Sequence, residues 1–80
     1  MAKYETVDRK RRAAIIDRKI GQRLRAIRRE AGWSQERLGE ALGMSFQQVQ
    51  KYENGKNRVA VSTLLLIAEA LKRPVTDFLP

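Results

Sequence analysis

The sequence predicts an all-α domain of five short helices. Apolar residues recur at helical spacing in Ile20, Leu24, Ile27 and Ala31. A large apolar residue followed by Ser, then an apolar residue four positions on, occurs at Trp33-Ser34-Leu38, Met44-Ser45-Val49 and Val61-Ser62-Leu66. No segment shows the strict alternation of a strand.

The first helix is expected to start at Asp17, as cap, and to stop at Gly32. Ile16 and Ala13 extend its apolar stripe backwards, so a rival reading starts the helix near Thr6. The three Ser residues read as N-caps, each worth ~1 kcal/mol against Ala. The flanking apolar pairs read as hydrophobic staples. These signals put a second helix over Gln35–Leu42, ended by Gly43 in a left-handed conformation. A third runs over Phe46–Glu53, ended by Asn54-Gly55, and a fourth over Ser62–Leu71, before Pro74. A fifth covers Val75–Leu79.

At 80 residues the chain is one domain. It contains no Cys and no His, which removes thiol nucleophiles, the usual general base and the common zinc ligands. An enzyme is not expected, nor is a metal or cofactor. The net charge is +8, which points to a polyanionic partner. The longest aliphatic runs, Ala13–Ile16 and Leu64–Ala68, are far short of the ~20 residues that span a bilayer. No secretory signal is visible, so a cytoplasmic protein is expected. Residues 1–19 carry +4, as much as residues 20–80 together. The chain therefore divides into a basic arm or helix extension, residues 1–16, and a folded domain, residues 17–80. The arm reads either as a groove-binding element or as a solvated tail.

The second and third helices, joined by Gly43-Met44-Ser45, have the layout of a helix-turn-helix. Gly39 suits a close crossing of the two helices, Val49 the seam between them, and Leu38 and Leu42 their shared core. The stretch Gly32-Trp33-Ser34-Gln35-Glu36-Arg37-Leu38-Gly39 resembles the opening of the Cro/phage-repressor type, or XRE, helix-turn-helix family. Gly43-Met44-Ser45, Val49, Tyr52-Glu53-Asn54-Gly55, and then Leu64, Ile67-Ala68 and Leu71, continue the likeness over residues 17–79. The resemblance implies a lambda-repressor-like DNA-binding domain. It implies that Gln35 holds a phosphate while bracing the recognition helix, and that Arg28 and Glu53 form a structural ion pair. It puts Phe46, Gln47, Gln48 and Lys51 on the base-facing side of the third helix. It puts Asn54, Lys56 and Arg58 in a loop that follows the DNA backbone.

Elementary chemistry points the same way. Val49 and Tyr52 face inward on the third helix, leaving Gln47, Gln48, Gln50 and Lys51 to project elsewhere. Gln bonds bidentately to adenine N6 and N7, and Lys reads guanine O6 and N7. Ser45 and the N–H groups of that helix start can hold a phosphate. The bland reading of the three Gln is a solvated face. Phe46 departs from the polar residue often found in the family. It is read either as packing on a thymine methyl or as folding back on Trp33 or Met44.

Leu65 and Leu66 exceed what one small core can hide, because Leu64, Ile67, Ala68 and Leu71 already fill its stripe. With Val75, Phe78 and Leu79 they are expected to bury surface against a second copy. The rival is packing against a folded-back N-terminal segment through Ile15 and Ile16. The sequence thus predicts a dimeric, sequence-specific regulator of transcription that binds double-stranded DNA. Repression is favoured because these residues include no sensor domain. The alternative is an antitoxin or protein-interaction module that neutralises a partner protein.

Overall fold

The computed structural model describes the backbone of residues 2–80 and the side chains of residues 8–80. The first part of the basic arm, residues 1–7, therefore lies outside the described side chains. Four α-helices follow in order: α1 (Ala2–Glu30), α2 (Gln35–Leu42), α3 (Phe46–Glu53) and α4 (Val61–Leu71). A single 3-10 turn, Val75–Phe78, takes the place of the fifth helix. Among the described residues there is no strand, and no helix is long and apolar enough to cross a membrane.

Helices α2 and α3 have the bounds their local signals dictate. The Ser34 hydroxyl accepts from Arg37 N at 3.0 Å, and the Ser45 hydroxyl accepts from Gln48 N at 3.2 Å. Gly43, at φ 69°, lets the backbone N–H of Met44 reach back to the Gly39 carbonyl at 2.9 Å. This closes α2 and turns the chain directly into α3. Gly39 sits under that turn, where an added Cβ would lie 2.6 Å from the Met44 carbonyl oxygen.

Two helix starts differ from expectation. Asp17 does not cap α1, which runs unbroken from Ala2. Neither Gly nor Pro occurs before Gly21, and Ala13-Ala14 favour the helix, so nothing stops it. The rival reading, a helix that takes in the arm, describes α1, although its start precedes Thr6. Ser62 does not cap α4 either. The cap position is Ala60, whose carbonyl accepts from Leu64 N at 2.9 Å without any side-chain cap bond. Ser62 is thereby two residues past the cap position, and Val61 is left 75% exposed rather than stapled to Leu66.

One core holds the domain together. It is built from Leu24 and Ile27 of α1, Leu38 of α2, Val49 of α3, Leu64, Ile67, Ala68 and Leu71 of α4, and Phe78. Phe78 is completely buried, so the expectation that it meets a second copy is overturned. An 80-residue domain has few large side chains to fill its centre, and the closing turn supplies this one. Val75 is half-buried against the same core. The fold-back of Ile15 and Ile16 is also ruled out, since both stand exposed on the straight α1. The longest dimension of the molecule, 45 Å, matches the ~43 Å length of a 29-residue helix. From Asp8 to Ile16 every side chain except the half-buried Ala13 is exposed.

All four helices end alike. A left-handed residue donates to the carbonyl three before it, and the next residue donates five back, as in Arg73 N to Ala68 O at 3.0 Å. Three of the left-handed positions are glycines, and the fourth is Lys72 at φ 57°. A side chain in that conformation costs ~1–2 kcal/mol, against ~0.5–1 kcal/mol of extra chain entropy for Gly. Lys72→Gly is therefore expected to stabilise the domain by ~0.5–1 kcal/mol, a rise in Tm of several degrees in thermal unfolding. A fall in Tm would contradict the strain assigned to Lys72.

Candidate nucleic-acid interface

The position of α3 is fixed at its C-terminal end by a buried polar cluster. Arg28 of α1 donates to Glu53 twice, Nε to Oε2 at 2.6 Å and Nη2 to Oε1 at 3.0 Å. Its remaining terminal nitrogen donates to the Trp33 carbonyl at 2.7 Å. Gln35 Nε2, at the first position of α2, donates to Glu53 Oε1 at 3.0 Å. The two charged side chains are 8% and 1% exposed, so the pair lies out of water. Among the described residues no buried side-chain polar atom lacks a partner. One carboxylate thereby ties three helices and the α1–α2 turn together.

Gly21 makes the approach of α1 to α3 close enough for this. A Cβ there would collide with the carbonyl oxygens of Tyr52 and Glu53, the latter at 2.6 Å. Reading by periodicity passes over Gly21; its signal is a lone glycine inside a long helical pattern.

With its C-terminus anchored and Val49 buried, α3 turns its other side to solvent. Phe46 is 40% exposed, and Gln47, Gln50 and Lys51 are exposed. Phe46 is thus open enough to meet a partner. Gln48 is half-buried, and its Nε2 donates to Asn57 Oδ1 at 3.4 Å, a partner that spacing alone does not reveal. Ser45 is exposed at the N-terminus of α3, where its hydroxyl is engaged as the cap. Gln35 is half-buried beside the polar cluster.

Beyond α3, Asn54, Lys56 and Arg58 are all exposed on one loop. The root of α1 holds that loop. Arg58 Nε donates to Asp17 Oδ2 at 3.1 Å, which is the role Asp17 takes instead of capping. Arg18 lies against Gly55, where an added Cβ would be 2.7 Å from Arg18 Cγ. At the other end of α2, the Arg37 guanidinium sits 4.1 Å from the Trp33 ring centroid. On α4 and the closing segment, Leu65, Leu66 and Leu79 are 50%, 55% and 42% exposed, and Leu66 lines a shallow cavity with Trp33, Leu42 and Ala70. Among the described residues no group of three or more His, Cys, Asp or Glu is placed to hold a metal ion.

The buried pair has a measurable consequence. Removing one partner leaves the other charge buried and uncompensated, at a cost of ~3–5 kcal/mol. Arg28→Met is expected to lose that much in urea unfolding. The double variant Arg28→Met/Glu53→Met is expected to recover most of it. Strict additivity of the two single losses would contradict direct coupling.

Comparison with known proteins bears on this arrangement. A family model described as helix-turn-helix matches residues 24–78, more than half of the chain. An uncharacterized HTH-type transcriptional regulator of Sinorhizobium medicae is 47% identical over 72 residues, 90% of this chain and 52% of that protein. The chain thus spans about half the length of this curated relative. Among solved structures, the DNA-binding domain of BldD superposes with TM-score 0.77 at 30% identity, covering 84% of this chain and 97% of that one. The restriction-modification controller protein C.AhdI from Aeromonas hydrophila superposes with TM-score 0.72 at 34% identity, covering 76% and 92%. The chain belongs to the helix-turn-helix family of the Cro/phage-repressor, or XRE, type.

Proposed function

We propose that this chain binds double-stranded DNA at a specific sequence and acts in the cytoplasm as a transcription regulator. In this reading α3 enters the major groove and α2 lies across the backbone. One observation carries the proposal. The only carboxylate of α3, Glu53, is buried in its ion pair, so the exposed side of the helix presents Phe46, Gln47, Gln50 and Lys51 with no acid among them. Amide and ammonium groups are the ones that read adenine and guanine edges. Gln48 reaches a base by exchanging its bond to Asn57. Gln35, Ser45, Asn54, Lys56 and Arg58 supply phosphate contacts around that helix, in keeping with the net charge of +8. The likeness to the DNA-binding domain of BldD supports the reading.

The regulator acts as a homodimer and represses by blocking polymerase, without cofactor, metal or membrane. Leu65, Leu66 and Leu79, with the edge of Val75, supply the apolar surface for a second copy. A two-fold pair reads half-sites ~34–36 Å apart. The same exposed leucines favour one other reading, in which the chain is an antitoxin or interaction module and they meet a partner protein.

Selection of bound duplexes from a random pool at two salt concentrations tests the proposal. A palindrome with spaced half-sites is expected; salt-sensitive binding without an enriched sequence would contradict it. On the selected site Gln47→Ala is expected to cost ~1–3 kcal/mol and to relax discrimination. Equal losses on selected and random DNA would contradict base reading. Arg58→Ala is expected to weaken all sequences alike and to lower the salt slope by ~1. In sedimentation, Leu66→Glu is expected to shift the protein toward monomer, and an unchanged equilibrium would remove Leu66 from the interface.

A further inference from the structure

Helix α1 carries a line of three arginines, of which Arg11 and Arg18 precede the residues of the family match and Arg25 falls at its start. Arg11, Arg18 and Arg25 are spaced by seven, and seven residues at ~100° each bring a side chain back to within ~20° of the same direction. All three are exposed, and they span ~21 Å of helix. Among the described residues, the acids of α1 are engaged elsewhere: Asp8 with Arg12 at 3.2 Å, Asp17 with Arg58 at 3.1 Å and Glu30 with Arg73 at 3.0 Å. Among the described residues no carboxylate lies within ion-pair distance of any of the three.

The line is also anchored to the site. Arg18 packs on Gly55, and the neighbouring Asp17 grips Arg58. The middle of the line therefore borders the loop that carries Lys56 and Arg58. From there α1 leads outward, past the residues of the family match at 24–78, to Arg11 on the exposed part of the helix. A rigid helix with cations at a fixed repeat suits a polyanion of regular charge spacing better than it suits a folded protein surface.

We propose that the Arg11–Arg18–Arg25 face of α1 is a second DNA-contact surface, which follows the phosphates of duplex DNA flanking the sequence that α3 reads. This rests on the DNA-binding reading of α3. The line adds footprint and affinity, and it does not discriminate between sequences.

The test uses the 80-residue chain and fluorescence anisotropy on its selected duplex, made with and without ~10 extra base pairs on each side. Arg11→Gln is expected to weaken binding to the long duplex ~3- to 10-fold, and to lower the slope of log K against log salt by ~1 for each chain bound. On the short duplex it is expected to have no effect. Arg9→Gln, which removes the same charge from the opposite face two residues away, is expected to change neither by more than twofold. Equal effects of Arg9→Gln and Arg11→Gln would reduce the line to general charge attraction and overturn the proposal. So would an Arg11→Gln loss of the same size on both duplexes, or no loss on either while Gln47→Ala still weakens the site. Absence of duplex binding by the unaltered chain would instead remove the α3 reading, and the phosphate track with it.

Discussion

The two-pronged bond between Arg28 and Glu53 is the constraint on which the rest of the domain depends. Two buried charges are expensive to desolvate, and the cost is met only when every polar atom finds a partner. Here Arg28 bonds Glu53 twice and the Trp33 carbonyl once, and Gln35 takes up a further bond to Glu53. The cluster needs α1, the turn before α2, the start of α2 and the end of α3 in one relative placement. A hydrophobic replacement would tolerate rotation of α3 about its axis; a bidentate guanidinium–carboxylate pair does not. The pair also removes the only acid of α3 from its solvent side.

Around that anchor, small residues set the approach distances. Gly21 lets α1 reach the carbonyl oxygens at the end of α3, and Gly39 lets α2 sit under the turn that starts it. Val49 then fixes which side of α3 is buried. The core is small, and Phe78 from the closing turn completes it. What remains outside is a short helix with a polar and cationic face, flanked by a basic loop that Asp17 and Arg18 hold in place.

Much of this was legible in the residues. The limits of α2 and α3 follow from Ser34, Ser45, Gly43 and Asn54-Gly55, because caps and left-handed stops act locally. The pairing of Arg28 with Glu53 was an implication of the family resemblance, since no local rule joins residues 25 positions apart. An acidic residue before an apolar stripe has the local look of a cap, but the bond of Asp17 is to Arg58, far along the chain. Ser62 has the local pattern of a cap, but α4 buries Leu64 and Ala68 and has its cap two residues earlier, at Ala60. The burial of Phe78 is not legible in the sequence, because a short C-terminal segment shows no periodicity by which to tell its inside from its outside. The tie between Gln48 and Asn57, like the arginine line of α1, emerges only once the helices have bounds and neighbours.

The central claim is that the exposed side of α3 reads base edges in the major groove. The most direct measurement is the affinity of the unaltered chain for its selected duplex, with each adenine in turn replaced by 7-deazaadenine. That base pairs normally but lacks the N7 acceptor. A loss of about fivefold or more at one or two positions in each half-site, abolished in Gln47→Ala, is the predicted result. Unchanged affinity at every position would contradict adenine recognition by α3.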